Sequence, residues 1–186
     1  MPRMTVNERP VEFDLDPRTP LLFALREAAN LTGTKSCGSG NDCIGAACTV
    51  IIDGTALRSC RVSLAEAEGR YVTTIEGLSR DRSHPVQQAM VAEQAIQCGF
   101  CTPGMVMAAA ALIQRNPVPT REEIEAAVPN LCRCGVYPRL VRAIELAGRV
   151  ARRREALSAA PAPGISADDA AQAVPALSAP GARTDQ

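Results

Sequence analysis

With 186 residues, 46% of them apolar and 22% charged, the chain is long enough to bury a core and is not a candidate for disorder throughout. Twenty Lys+Arg balance twenty Asp+Glu, so no overall field draws it to nucleic acid or an anionic membrane, and no local basic stripe takes its place. No apolar run reaches the length of about eighteen residues that a membrane span needs, and MPRMTVNERP lacks the regions of a secretory signal. The expectation is a chain with no membrane span and no Sec export of its own. Against a single His, no Trp and 3% aromatics, eight Cys are out of proportion. A reducing compartment keeps thiols open, so they point to metal and away from a disulfide framework.

Met4 and Val6, a polar turn over 7–10, then Val11, Phe13 and Leu15 alternate as a half-buried hairpin. Thr19 is placed to cap a helix and Pro20 to open it, with Leu21, Leu22, Leu25, Ala28 and Ala29 at helical spacing over 21–30. After a loop with Cys37, Cys43 and Cys48, the run 49–52, an Asp53-Gly54 turn and a return through Leu57 to Cys60 predict a second hairpin. A short helix over 64–68 and a strand over 71–75 complete a strand-rich half, so the fold class is α+β with a first domain at 1–78.

Beyond the polar connector 79–83 the period is helical only, which marks the boundary. Pro85 opens a helix carrying Val86, Ala89, Met90 and Ile96 that stops at Cys98-Gly99; Pro103 opens a second, apolar nearly all round over 105–113 and so expected to be buried. Thr120 with Glu123 forms a capping box for a third, and Pro138 opens a fourth with Leu140, Ile144, Ala147 and Val150 on one stripe. Four helices make an all-α bundle over 79–157, closed by solvated Arg152, Arg153 and Arg154. From 158 to 186 the chain is an Ala/Pro-rich tail with no periodic apolar face, expected to be flexible. His84, before Pro85, reads as a cap or an exposed side chain and not as a ligand.

The helical half holds Cys98-Gly99-Phe100-Cys101 and, after thirty residues, Cys132-Arg133-Cys134. A Cys-x-x-Cys turn offers two thiolates to one centre, and the second pair reaches it from the loop opening the fourth helix. In the strand-rich half Cys37, Cys43 and Cys48 are spaced x5 and x4, and Cys60 follows after eleven intervening residues. Gly38, Gly40 and Gly45 between them suit a backbone that wraps closely enough to turn N–H groups on sulfur. Four thiolates also hold Zn2+, and spacing leaves that metal open. Zinc, however, usually staples domains too small for a core, which neither half is, and Cys-x-Cys suits a cluster.

The run 97–105, the run 130–137 and the glycine-rich three-cysteine loop after Leu31-Thr32-Gly33-Thr34-Lys35 resemble the small iron–sulfur subunit of the molybdenum hydroxylases, the group of xanthine oxidase, aldehyde oxidoreductase and isoquinoline 1-oxidoreductase. The resemblance covers about 3–150. It implies a β-grasp, plant-type ferredoxin-like domain followed by a four-helix-bundle domain, each holding a 2Fe-2S cluster. Carried over to this sequence, Cys98, Cys101, Cys132 and Cys134 would hold the cluster proximal to a molybdopterin, and Cys37, Cys43, Cys48 and Cys60 the distal one. Gln97 would contact the pterin, expected as a cytosine dinucleotide on a large partner subunit. The implied role is electron transfer in oxidation of an aldehyde or N-heterocycle with water, onward to an FAD subunit or a cytochrome c subunit. Localisation follows as cytoplasmic, or periplasmic or membrane-associated by co-export with a partner. The x5–x4 loop is three residues longer than the family's x4–x2, and Cys134-Gly135-Val136-Tyr137 replaces the commoner Cys-Thr-Gly-Tyr. Two rival functions remain: a zinc-stapled adaptor, which would be colourless, and a stand-alone ferredoxin-like carrier, which would need no large partner.

Overall fold

The computed structural model describes residues 1–38, 43–79, 81 and 83–152. The tail at 158–186, Arg153, Arg154, Gly40 and Asn41-Asp42 lie outside the described residues. Strands β1 (Arg3–Val6) and β2 (Arg9–Glu12) pair antiparallel across a two-residue turn at Asn7 and Glu8. Both turn residues have positive φ, 49° and 67°, the geometry whose twist matches a hairpin. The turn is therefore shorter than the expected 7–10, and Pro10 falls inside β2. That is tolerated because β2 is the edge strand, where a missing N–H breaks no ladder.

Strands β3 (Thr49–Ile52) and β4 (Thr55–Arg58) form the second expected hairpin about Asp53-Gly54, again with positive φ at both turn residues. With β5 (Tyr71–Thr73) they complete one sheet in the order β2-β1-β5-β3-β4, parallel only between β1 and β5. Met4, Val6, Val50, Ile52 and Val72 of the sheet bury against Leu21, Ala24 and Leu25 of the helix laid across it. That helix starts one residue late. Thr19 is spent in a turn with Asp16, Pro20 is the N-cap without a side-chain bond, and Leu21 N–H donates instead to Val62 O at 2.8 Å. After α1 (Leu21–Phe23) the coil loosens to a π-turn over Ala24–Ala28, closed by Ala29 N–H on Ala24 O. Residues 64–69 form hydrogen-bonded turns and not the predicted helix. Ser63 and Glu66 satisfy each other there and Gly69 turns the chain at φ 74°, so no second helical turn propagates.

The strand expected over 71–75 ends at Thr73, and α2 (Ile75–Leu78) follows, an element the sequence did not announce. Then come α3 (Pro85–Ala92), α4 (Thr102–Arg115), α5 (Arg121–Ala127) and α6 (Tyr137–Ala151). The capping box at Thr120 and Glu123 is present in both directions. Helix α3 stops well short of Cys98, because Gln94 adopts φ 49° and reverses the chain. Every residue of α4 from Gly104 to Ile113 is buried. One side packs with α3, α5 and α6, and the other, through Met107, Ala110 and Ala111, lies on Ile51 of the sheet. The two halves thus share one wall. Among the described residues no helix is long and apolar enough to cross a membrane.

Gly148 on α6 is where that helix crosses the loop after α4, and an added Cβ would stand 2.3 Å from the Pro117 carbonyl oxygen. Gly148→Ala raises helix propensity by about 1 kcal/mol, but a forced backbone shift costs roughly 1–3 kcal/mol. The variant is therefore expected to unfold at lower urea than the parent, although Ala is the better helix former; an unchanged or raised midpoint would contradict the packing described.

Candidate metal centres

The N-terminal group is assembled from three places. Cys43 and Cys48 bracket the chain entering β3, Cys60 sits on a single 3-10 turn (Ser59–Arg61) leaving β4, and Cys37 comes from the loop after the π-turn. The Cys37 and Cys43 sulfurs are 3.0 Å apart, Cys43 and Cys48 3.4 Å, and Cys48 and Cys60 3.4 Å. The first three lie within 4.8 Å of one another. All eight cysteines are free, so none of this closeness is a disulfide. The longer spacing has not dispersed the thiols. Ile44 is thrown outward, 67% exposed, Gly45 tucks against Cys37 where a Cβ would be 3.3 Å from its Sγ, and Ala46 turns the chain with φ 51°. Ala47 N–H then donates to Cys37 Sγ at 3.2 Å.

Arg58 Nη1 donates to Cys43 O at 2.8 Å and Ser59 Oγ to Cys48 O at 2.7 Å, fixing the backbone behind two of the thiols. Neither residue was singled out from the sequence, since a lone Arg or Ser beside a strand carries no pattern. Burial, with the neighbouring thiols behind it, pushes Cys43 up to about 11; burial also pushes Cys48 up to about 11 and raises Cys60. Thiolates packed so closely repel one another, and taking up a proton relieves that repulsion. Positive metal charge reverses that balance, so the donor set fits an ion or small cluster that displaces thiol protons on binding.

The C-terminal group lies on two loops, the one that opens α4 and the one that opens α6. Cys101 caps α4 and Cys98 precedes it, while Cys132 and Cys134 lie on the loop into α6. Cys101 neighbours Cys132 and Cys98 neighbours Cys134, but among the described residues the gathering of three sulfurs within 4.8 Å is that of Cys37, Cys43 and Cys48. Cys101 and Cys132 are buried, whereas Cys98 and Cys134 are exposed. Burial first, and Cys132 second, push Cys101 up to about 12. Burial acts on Cys132 as well, but Val136 N–H, the Cys101 thiol and the N–H groups of Cys134 and Gly135 outweigh it and hold this thiol below its usual value. Tyr137 fixes the same loop, its hydroxyl accepting Cys132 N–H at 2.7 Å. Ile96, Phe100, Leu131 and Tyr137, each within three residues of one of these cysteines in sequence, are exposed. Gln97 is exposed and lines a cleft of about 330 Å3 with Cys134, Val136, Pro138, Arg139 and Arg142. His84 is the N-cap of α3, accepting Val86 N–H on Nδ1 at 3.2 Å, and takes no part in either group.

A family model described as a [2Fe-2S] binding domain matches residues 74–145, the stretch that holds the C-terminal group. A nicotinate dehydrogenase subunit of Pseudomonas putida is 50% identical over 153 residues, 81% of this chain and 96% of its own. The alpha subunit of isoquinoline 1-oxidoreductase from Brevundimonas diminuta is 46% identical over 149 residues, covering 78% and 96%. Among solved structures, quinoline 2-oxidoreductase from Pseudomonas putida 86 superposes with a TM-score of 0.74 at 39% identity, over 83% of this chain and 96% of that one.

Cys43→Ser removes one of the four convergent thiols across the lengthened loop. The metal content of the loaded chain is expected to fall by about half, with the helical group's share intact; full metal content in the variant would show that Cys43 is not a ligand.

Proposed function

The chain belongs to the family of iron–sulfur subunits of the molybdenum hydroxylases and is an oxidoreductase component, and on that premise we propose that it passes electrons from a molybdopterin centre on a large subunit, through two clusters, to an external acceptor. The observation that carries this reading is the gathering of the Cys37, Cys43 and Cys48 sulfurs within 4.8 Å, with Cys60 3.4 Å from Cys48, while in the helical half Cys101 neighbours Cys132 and Cys98 neighbours Cys134. A [2Fe-2S] cluster supplies one-electron chemistry, so two in series suit the stepwise removal of an electron pair.

We assign Cys37, Cys43, Cys48 and Cys60 to a distal cluster and Cys98, Cys101, Cys132 and Cys134 to a proximal one. The chain's own work is to hold, cover and tune. Ala47 N–H on Cys37, with Arg58 and Ser59 behind Cys43 and Cys48, holds the N-terminal set through groups of this same chain. The C-terminal set is half open, and the apolar rim of Ile96, Phe100, Leu131 and Tyr137 favours a partner that closes over it. That partner is the large molybdopterin subunit in this reading, with Gln97 beside Cys98 directed to a pterin of the cytosine dinucleotide type. The acceptor, an FAD subunit or a cytochrome c subunit, approaches the other end, where a cleft of about 240 Å3 between Phe23, Arg26, Ser36 and Gly38 reaches Cys60.

The five-stranded sheet with one helix across it supports a ferredoxin-like β-grasp domain at 1–78, and α3 to α6 a four-helix-bundle domain at 79–157. The reaction is oxidation of an aldehyde or N-heterocycle with water, and relatives named for nicotinate, isoquinoline and quinoline favour the heterocycle. The substrate site lies on the large subunit. The complex is cytoplasmic, or reaches the periplasm or membrane by co-export with a partner.

The purified complex is expected to absorb in the visible, with about four irons and four labile sulfides per copy of this chain; a colourless protein with stoichiometric zinc would overturn the assignment. Cys101→Ser is expected to abolish turnover with external acceptors while substrate still reduces the molybdenum centre. Turnover at the parent rate would remove Cys101 from the path.

A further inference from the structure

One carbonyl group joins the two cysteine loops. Ala46 O, in the N-terminal loop, accepts from Thr49 N–H at 3.2 Å, Thr49 Oγ1 at 2.7 Å and Asn130 Nδ2 at 2.7 Å. Asn130 is 84 residues away in sequence, 1% exposed, and two residues before Cys132. The adjoining Leu131 N–H donates to Gly45 O at 3.1 Å, so the two loops are stitched twice in succession. Gly104, in the first turn of α4, makes room for the stitch: a Cβ there would stand 2.5 Å from Ala46 O and 2.9 Å from Asn130 Nδ2.

The amide of Asn130 is oriented without ambiguity, because a carbonyl can face only its nitrogen. Its Oδ1 is then left buried and without a partner among the described residues. An apolar side chain would avoid that cost, so stability alone gives no reason for an amide here. What the amide does is grip a peptide unit that needs gripping. Ala46 carries a side chain at φ 51°, a conformation L-residues avoid, and the N–H of the next residue is the one that points at Cys37 Sγ. The orientation of Ala46 O and that of Ala47 N–H are set by the same peptide plane, and so are not independent.

We propose that Asn130 is a positioning residue that couples the two centres: from the loop of the proximal ligands it locks the Ala46–Ala47 backbone so that Ala47 N–H stays on Cys37 Sγ and tunes the distal cluster. This rests on the two-cluster reading above. An N–H donor stabilises the more negative, reduced state of a cluster, so losing it lowers the potential. The sign is fixed by charge.

The test is an EPR-monitored redox titration of the intact complex, with the distal signal identified as the one Cys43→Ser removes. In Asn130→Ala the reduced-to-oxidised ratio of the distal cluster, read at the parent's midpoint, is expected to fall about twofold to tenfold, the worth of one hydrogen bond, with a change in its line shape and a smaller effect on the proximal cluster. Asn130→Asp keeps the shape and loses the donor, and should move the distal cluster in the same direction even if the alanine variant does not assemble. Loss of the distal cluster alone, from either variant, also supports the coupling. An unmoved distal midpoint and line shape in a variant that retains both clusters would overturn it, as would loss of both clusters together or of the proximal one alone. If the parent complex itself lacks two distinguishable [2Fe-2S] signals, it is the two-cluster assignment that fails and not the role of Asn130.

Discussion

The constraint on which the rest depends is the burial of α4 on two sides at once. A helix covered by other helices on one face and by a sheet on the other cannot carry large side chains throughout, since the neighbours on both sides would be held too far apart. Gly104 and the run Ala108-Ala109-Ala110-Ala111 meet that constraint, and Met107, whose flexible chain fits irregular space, fills the contact with the sheet beside Ile51. The consequence reaches past packing. The N-terminal end of this helix carries Cys101, and the backbone that Gly104 lets approach is that of Ala46 and Ala47, between Cys43 and Cys48. The same close packing that makes one body of the two halves therefore brings the two thiol groups to opposite sides of a single loop contact.

Holding four thiols together is electrostatically unfavourable until a cation arrives, and the two groups meet the problem differently. The N-terminal set is covered by its own chain, with three of its thiols buried and raised above their ordinary values. The C-terminal set buries only Cys101 and Cys132, and the loop N–H groups of Val136, Cys134 and Gly135 favour the charged form of Cys132. The C-terminal set is thus left open at Cys98 and Cys134, close in sequence to the exposed apolar side chains of Phe100 and Leu131.

Much of this was legible in the sequence because it rests on local rules. Both hairpins, the capping box at Thr120, the all-round apolar stretch 105–113 and the division of cysteines into two sets follow from periods and spacings of a few residues. The errors fell where a distant group overrode a local one. Thr19 had the right identity for a cap, but Val62 O already held the first helical N–H. The stretch 64–68 was expected as a short helix, but Gly69 ended it before a second turn could offset nucleation. Arg58, Ser59 and the grip of Asn130 on Ala46 could not be read at all, since each acts through a backbone carbonyl, and a carbonyl leaves no mark on the sequence.

The lengthened loop shows how a departure in spacing is absorbed. Extra residues between two ligands must either spread the ligands or leave the plane of the loop. Here Ile44 goes outward into solvent, and Ala46 reverses the chain through a left-handed conformation, so the sulfurs of Cys43 and Cys48 still stand 3.4 Å apart. The cost is a strained alanine of about 1 kcal/mol. The restraint has to come from outside the loop, because Gly45 and Ala46 have no polar side chain to fix themselves. Thr49 supplies part of it from β3, Lys35 N–H holds Ala47 O, and Leu131 N–H and Asn130 reach Gly45 and Ala46 from across the molecule. The helical half thus contributes two of the hydrogen bonds that hold this loop, which ties the shape of the N-terminal thiol group to the docking of the two halves.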